Sequence, residues 1–117
     1  MAKFLYLLNH APDRYQGLSA EENMEIIKDY IAWVEAQTEA GRYLGGEKLQ
    51  EGPGKTLRRG GEGVELFDAP FAEVPEVLGG YMLIEARDMD EAVELARSHP
   101  HLVHNEVLHI QEIHDVD

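Results

Sequence analysis

The chain contains no cysteine, few basic residues and no long apolar run. The absence of cysteine excludes a disulfide framework, a thiolate metal site and a cysteine nucleophile, and it is typical of a reducing cytoplasm. Only 10 residues are Lys or Arg against 23 Asp or Glu. The net charge of −13 would repel a phosphate backbone, so we expect no nucleic-acid partner.

Membrane association is also not expected. No apolar stretch approaches the roughly 20 residues that span a bilayer. The N-terminal segment MAKFLYLLNH lacks the length and cleavage pattern of a signal peptide. We therefore expect a cytoplasmic protein. Its 117 residues, 44% of them hydrophobic, are sufficient for one domain covering residues 1–117.

The pattern along the chain predicts two strand–helix–strand units joined by a hairpin. The first helix begins at Ser19, which forms a capping box with Glu22, and the second begins at Asp88. The first helix is predicted to carry a broad apolar stripe of Met24, Ile27, Ile31 and Val34, with Tyr30 and Trp33 flanking it. Residues 101–105 are predicted to be a loop. The predicted strands are residues 3–9, 43–49, 80–86 and 106–113, and the predicted hairpin arms are residues 56–59 and 64–67.

This order predicts an α+β fold of the ferredoxin-like kind, with both helices on one face of an antiparallel sheet. The first strand, Phe4 to Leu8, and the strand Tyr81 to Ile84 are nevertheless apolar on both faces. A second copy of the sheet is the simplest cover for the face without helices, so we expect a homodimer.

Several separated motifs of the chain carry a family resemblance. They are Asp68-Ala69-Pro70-Phe71-Ala72-Glu73, Leu78-Gly79-Gly80-Tyr81 with Ile84-Glu85, Gly45-Gly46-Glu47 with Leu49, and Asp88-Met89-Asp90-Glu91-Ala92. In this order they resemble the DGPF branch of the YCII-related family, with Ala69 where the branch has glycine. The resemblance implies a ferredoxin-like fold assembled as a dimeric α/β barrel.

The resemblance implies little about activity. Members of the YCII branch are proposed to be enzymes that use a histidine–aspartate pair, with the histidine on the first helix. The first helix of this chain, Ser19 to Ala40, contains no histidine. That pair therefore does not carry over to this sequence.

Asp68 and His10 are the candidate catalytic residues. Asp68 precedes the Pro70-Phe71 loop, where a carboxylate can act as a general base or cap a turn. His10 follows the first strand, where it can pair with Asp68 or Glu47, or lie exposed in a loop. Glu47 stands beside Gly45 and Gly46, which allow a ligand to approach closely, but it can equally be an exposed strand residue.

Aromatic and histidine side chains supply the remaining candidates. Tyr6, Tyr81 and Phe71 are candidate ligand contacts, although core packing explains them as well. His109 is expected on the sheet face that lines the dimer interior. The segment His99-Pro100-His101-Leu102-Val103-His104 is rich in histidine, but Pro100 separates the first two and zinc needs three or four ligands in one geometry. We therefore assign no metal ligand and no cofactor.

Two functions follow from these residues. The first is a small-molecule binding protein, and possibly a cofactor-free acid–base enzyme of isomerase or lyase type, with His10 and Asp68 as the pair and Glu47 in support. The second is a non-catalytic dimerising or regulatory module. Dimeric α/β barrels host several chemistries, so the fold does not choose between them.

Overall fold

The computed structural model of the chain describes residues 1–14, 16–50, 52, 54–68 and 77–115. Within them the chain order is two strand–helix–strand units around a hairpin, as predicted. The elements are β1 (Ala2–His10), α1 (Ala20–Glu39), β2 (Tyr43–Lys48), β3 (Thr56–Gly60), β4 (Gly63–Phe67), β5 (Val77–Ala86), α2 (Met89–Ala96), α3 (Pro100–Val103) and β6 (Val107–Glu112).

Four strands form one antiparallel sheet in the order β2-β5-β1-β6, and β3 pairs with β4 in a separate two-stranded sheet. The predicted α+β class with antiparallel strands is confirmed, and so is the hairpin. We call the β3–β4 hairpin the arm.

The core lies on one face of the four-stranded sheet, against α1 and α2. Phe4, Tyr6 and Leu8 of β1 are buried at alternate positions, as the period of two in a strand requires. Met82 and Ile84 of β5 continue this face. Other core residues are Trp33, Ala86, Ala92 and Ala96.

Helix α1 begins with the predicted capping box. The Ser19 hydroxyl accepts from the Glu22 backbone N–H at 3.0 Å, and the Glu22 carboxylate accepts from the Ser19 N–H at 3.2 Å. At α2 the Asp88 carboxylate caps the Glu91 N–H in the same way, at 2.9 Å. The Glu91 carboxylate instead accepts from the Arg87 N–H and pairs with Arg42.

The predicted apolar stripe of α1 faces the core at only one of its four positions. Met24, Ile27 and Ile31 are 51%, 40% and 51% exposed, whereas Trp33 is buried and Tyr30 and Val34 pack against the core. The helix has apolar residues on overlapping faces, and the large rings of Tyr30 and Trp33 fill the space beside the sheet. This leaves an apolar stripe of α1 on the outside.

The prediction of a loop at residues 101–105 is also wrong in part, because Pro100–Val103 form the short helix α3. Proline is favoured at the first position of a helix, since its fixed φ suits the helix and its missing N–H has no helical partner there. The His99 imidazole caps this helix by accepting from the His101 N–H at 3.0 Å.

Candidate functional site

The face of the sheet opposite the helices carries three of the candidate ligand-binding residues in one row. Glu47 pairs with Tyr81, Tyr81 pairs with Leu7, and Leu7 pairs with His109, so these four positions cross the sheet from β2 to β6. Paired residues of antiparallel strands project to the same face. A carboxylate, a phenol and an imidazole therefore share this face, which we call the open face.

Apolar side chains surround this row. Leu5 and Leu83 are paired and half-buried on the open face, as is Leu7 between Tyr81 and His109. Tyr81 itself is 37% exposed. The open face thus combines a few polar groups with an apolar floor, the usual composition of a small-molecule site.

The groups at the β2 side of the row influence one another electrostatically. The pKa of Tyr43 is raised above its ordinary value, first by burial and then by the nearby Glu47 carboxylate and Tyr81 phenol. Tyr43 therefore stays a neutral phenol. At the other end of the row, the His109 Nε2 lies 3.1 Å from the Gln111 Oε1.

Tyr6 does not belong to the open face. It is fully buried on the helix side, and its hydroxyl donates to the Ala92 carbonyl at 2.5 Å. Burial raises its pKa to about 12. Tyr6 and Tyr81 are on adjacent strands as expected, but they face opposite sides of the sheet, and Tyr6 acts as a core residue that ties β1 to α2.

His10 is the last residue of β1 and is only 4% exposed. Its side chain lies on the helix side, so the prediction of an exposed loop histidine does not hold. Its Nδ1 is 2.7 Å from the Ala11 carbonyl oxygen. A carbonyl only accepts, so the His10 Nδ1 carries a proton and donates it to this carbonyl.

A β-bulge places Gly79 against the His10 ring. The register of β1 against β5 passes from Leu8–Gly80 to Asn9–Leu78, which leaves Gly79 as the extra residue. A Cβ at Gly79 would lie 2.4 Å from the His10 Cδ2 and 3.0 Å from its Nε2. Glycine at this position is therefore a packing requirement of His10.

A chain of buried hydrogen bonds lies beside His10. The Arg14 guanidinium donates to the Tyr30 hydroxyl at 2.9 Å, and that hydroxyl donates to the His101 Nδ1 at 2.7 Å. The His101 Nε2–H in turn donates to the Asn9 carbonyl. Each group in this hydrogen-bond series donates to the next, from Arg14 to the Asn9 carbonyl. This direction fixes His101 as the neutral tautomer protonated at Nε2.

Glu106 closes the same cluster from the start of β6. Its carboxylate accepts from the Ala11 N–H at 3.1 Å and lies 3.7 Å from the Arg14 Nε. The Arg14 and Glu106 side chains are 7% and 12% exposed, so the pair is largely buried. Sequence analysis did not find Arg14, Tyr30, His101 or Glu106 as a cluster, because they come from three distant segments.

His99 and His101 are structural residues. They are 0% and 2% exposed, and the His99 Nε2 lies 3.3 Å from the Met82 sulfur. Burial is the main reason that the pKa of His99 falls to about 3 and that of His101 to about 4. Within the described parts of the chain, no group of three or more His, Asp or Glu residues is arranged to hold a metal ion.

Replacing Tyr30 with phenylalanine should cost about 1–3 kcal/mol of unfolding free energy, because the buried His101 Nδ1 loses its donor. Urea unfolding at neutral pH measures this change. Thr38→Val is the matched control, since the Thr38 hydroxyl is exposed on α1 and its loss should cost less than about 0.5 kcal/mol. Equal effects of the two substitutions would contradict the hydrogen-bond chain.

Asp68 lies at the base of the arm. Its side chain is 79% exposed and its carboxylate pairs with the Lys55 ammonium. Asp68 and His10 thus have different partners, Lys55 and the Ala11 carbonyl. The candidate ligand contact Phe71 and the rest of the 69–76 loop lie outside the described residues.

A shallow cleft of about 370 Å³ lies on the helix side, at the β6 edge of the sheet. It is bounded by α2, α3 and β6, and its lining includes Arg97 and His109 among mostly apolar residues. The Arg97 guanidinium is exposed and pairs with Glu94. The cleft thus shares His109 with the open face, but it includes neither Glu47, Tyr81 nor His10. In the described part of the chain, no helix is long and apolar enough to cross a membrane.

Comparison with known proteins identifies one protein of similar sequence and one of similar structure. An uncharacterised protein of Rhizobium meliloti is 35% identical over 81 residues, which make up 68% of this chain and 64% of that protein. The match thus spans less than two thirds of the relative.

Among solved structures, a 5-chloro-2-hydroxyhydroquinone dehydrochlorinase from Burkholderia phenoliruptrix, in complex with 2,5-dihydroxybenzoquinone, is similar with a TM-score of 0.54. The identity is 12%, and the match covers 97% of this chain and 94% of that one. The YCII-related domain model matches residues 2–115. The chain belongs to the YCII-related family.

Proposed function

We propose that the protein binds a small organic molecule on the open face and that a second copy of the chain covers this face. One observation carries the proposal: the strand register aligns Glu47, Tyr81 and His109 in one row over an apolar floor. Sheets that pack face to face lie about 10 Å apart with side chains between them, so a ligand on the row would take the place of part of this side-chain packing.

The row favours a ligand with both polar groups and an apolar body. Glu47 accepts hydrogen bonds, the Tyr81 hydroxyl donates or accepts, and the His109 imidazole donates or accepts through its ring nitrogens. The apolar part of the ligand would lie on Leu5, Leu7 and Leu83. A hydroxylated aromatic compound or an aromatic acid has this combination.

The similar solved structure supports this choice of ligand class. By its description, that dehydrochlorinase binds 2,5-dihydroxybenzoquinone, a flat oxygenated ring. At 12% identity the likeness shows the fold alone. It supports the idea that a fold of this kind accommodates such a ring, and the residues that would hold one here are those of the row.

The proposed chemistry is acid–base catalysis without a cofactor. In this hypothesis His10 and Asp68 form the acid–base pair, and the ligand must extend past the edge of the sheet to the His10 ring, which faces the helix side and is 4% exposed. The pair requires the Asp68 carboxylate to exchange its Lys55 partner for His10. Glu47 supports the ligand from the open face.

The Asp68–Lys55 pair also favours a second candidate, a dimerising or regulatory module without catalysis. An aspartate that is 79% exposed and ion-paired with Lys55 lacks the enclosed surroundings of a catalytic carboxylate. The two candidates differ in turnover. A module would bind its ligand and return it unchanged, whereas an enzyme would lose activity on Asp68→Asn without losing affinity.

A thermal-shift screen of hydroxylated aromatics and aromatic acids tests the binding proposal, since a ligand of the native state raises its apparent stability. For the strongest ligand, Glu47→Gln and His109→Gln should each weaken binding roughly 10- to 100-fold, as expected for the loss of a hydrogen bond to a charged group. His114→Gln, in the exposed C-terminal segment, is the control and should bind normally. Normal affinity in all three variants would overturn the proposed site.

The proposed dimer has its own test. Light scattering at micromolar concentration should give twice the 13.2 kDa chain mass. Leu7→Glu should give the monomer mass, because it puts a charge in the middle of the covered face. Val103→Glu, at a position 67% exposed on α3, is the control and should leave the dimer intact. A monomeric wild-type protein would contradict this step.

A further inference from the structure

The arm carries an apolar face that the rest of the described chain leaves exposed. Leu57 pairs with Leu66, and Arg59 pairs with Val64, so these four residues share one face of the arm. Leu57, Val64 and Leu66 are 65%, 61% and 59% exposed. The opposite face holds the Arg58–Glu65 ion pair, with Arg58 over the Phe67 ring.

The arm also stands away from the domain. The radius of gyration is 16.2 Å, whereas a compact chain of this length has about 13 Å. A two-stranded hairpin is at best marginally stable on its own in water. A projecting arm with one apolar face therefore needs a surface to dock on.

The outer side of α1 has a matching stripe. Met24, Ile27 and Ile31 recur at spacings of three and four and are 51%, 40% and 51% exposed. Glu35 continues the same stripe one turn further on. From Met24 to Glu35 the helix rises about 16 Å, which equals the roughly 16 Å length of a five-residue strand.

The two surfaces differ in charge. Helix α1 carries six acidic residues and one basic residue, listed here in order: Glu21, Glu22, Glu25, Lys28, Asp29, Glu35 and Glu39. The apolar face of the arm carries Arg59 and no acidic residue. Arg59 of the arm therefore has acidic residues to pair with on α1, whereas two arms would bring two Arg59 side chains together. This charge difference favours α1 over a second arm as the docking partner.

We propose that the arm of one copy docks on α1 of a second copy, with Leu57, Val64 and Leu66 against Met24, Ile27 and Ile31. Arg59 then lies near Glu35. The contact occurs twice in the same two-fold dimer that covers the open face, because each chain supplies one arm and one helix, and it adds to the open-face contact without replacing it. The contact involves the outer helix surface, so it is distinct from the open face and needs no ligand.

Cross-linking tests the docking directly, because the chain has no native cysteine. Chains with Leu66→Cys are mixed with chains with Ile31→Cys and treated with a short bismaleimide. We expect a covalent dimer of the two different chains. Leu66→Cys mixed with Val103→Cys is the control, because Val103 is 67% exposed but lies on α3, and it should stay uncoupled.

Other cross-linking results would overturn the proposal. Coupling of Leu66→Cys chains with one another would show that two arms pair. Internal coupling in a chain with both substitutions, without a covalent dimer, would show that the arm docks on its own helix. No coupling at all would show that neither surface has this partner. All substituted positions are exposed, so each variant should fold.

Charge reversal gives a second measurement. Arg59→Glu, and separately Glu35→Arg, should each lower the rate of coupling roughly two- to five-fold, the range for an exposed ion pair. Combining the Arg59→Glu arm with the Glu35→Arg helix should restore the rate. Equal rates in all combinations would contradict the placement of Arg59 beside Glu35. A failed ligand screen would leave these rates unchanged, so the two proposals fail separately.

Discussion

Replacing Gly79 with alanine should destabilise the protein by about 1–3 kcal/mol, because the new methyl group would overpack the site of the His10 ring. The clash is severe, with the new Cβ 2.4 Å from the His10 Cδ2 and 3.3 Å from the Leu8 carbonyl oxygen. His10 is 4% exposed, so its ring has little room to move. Denaturant unfolding measures the change.

Two further variants separate this clash from the general effect of removing a glycine. Gly61→Ala, in the turn of the arm, has no atom within 4 Å of the new Cβ and should change stability by less than about 0.5 kcal/mol. In a His10→Ala background the cost of Gly79→Ala should largely disappear, because the ring that meets the methyl group is gone. An undiminished cost in that background would contradict the packing of Gly79 on His10.

Acid should unfold the protein through His99 and His101. Their pKa values in the folded state, about 3 and about 4, lie below the value of about 6.5 in an unfolded chain. Between these values the unfolded chain binds protons that the folded chain does not. The stability from these residues is therefore complete above about pH 6.5 and is lost as the pH falls, at up to about 1.4 kcal/mol per pH unit for each histidine.

Unfolding free energies measured between pH 7 and pH 4.5 test this expectation. Over that range the two histidines together should remove several kcal/mol, a large part of the stability of an ordinary domain. His99→Asn keeps an acceptor that can cap α3 and should give a shallower pH slope, whatever it costs at pH 7. His114→Asn should keep the wild-type slope, and the same slope in both variants would rule out His99 as a source.

Much of the fold was predictable because its signals are local. The Ser19–Glu22 capping box and the Asp88 cap lie within single turns of their helices, and the glycines between β3 and β4 mark the arm. The continuous apolar runs in β1 and β5 also predicted a sheet with two apolar faces. Each of these patterns is set by neighbours in the sequence.

The incorrect predictions concern features that tertiary packing determines. Helix α1 has apolar residues on overlapping faces. The packing of the Tyr30 and Trp33 rings against the sheet determines which of these faces is buried. At α3 the proline has two possible meanings. Pro100 disfavours helix at the residue before it, and it also favours the start of a new helix at its own position. The sequence pattern did not show which of these two roles applied.

The candidate site divides in the same way. The open-face row was partly predictable, because Glu47, Tyr81 and His109 are in strands whose alternation assigns their face. The helix-side cluster was not, since the hydrogen-bond chain from Arg14 through Tyr30 to His101 joins three separate segments. The bulge at Gly79 was also hidden, because a Gly-Gly pair does not show which partner approaches it.

The open face as a ligand site is most directly tested by NMR of the protein with labelled tyrosines, because His109 also lines the helix-side cleft whereas Tyr81 does not. The protein is titrated with the strongest ligand of the screen. We predict that the Tyr81 ring signals shift and saturate with the measured affinity, while those of the buried Tyr6 stay in place. Saturating binding that leaves the Tyr81 signals unchanged would place the ligand elsewhere and contradict the account.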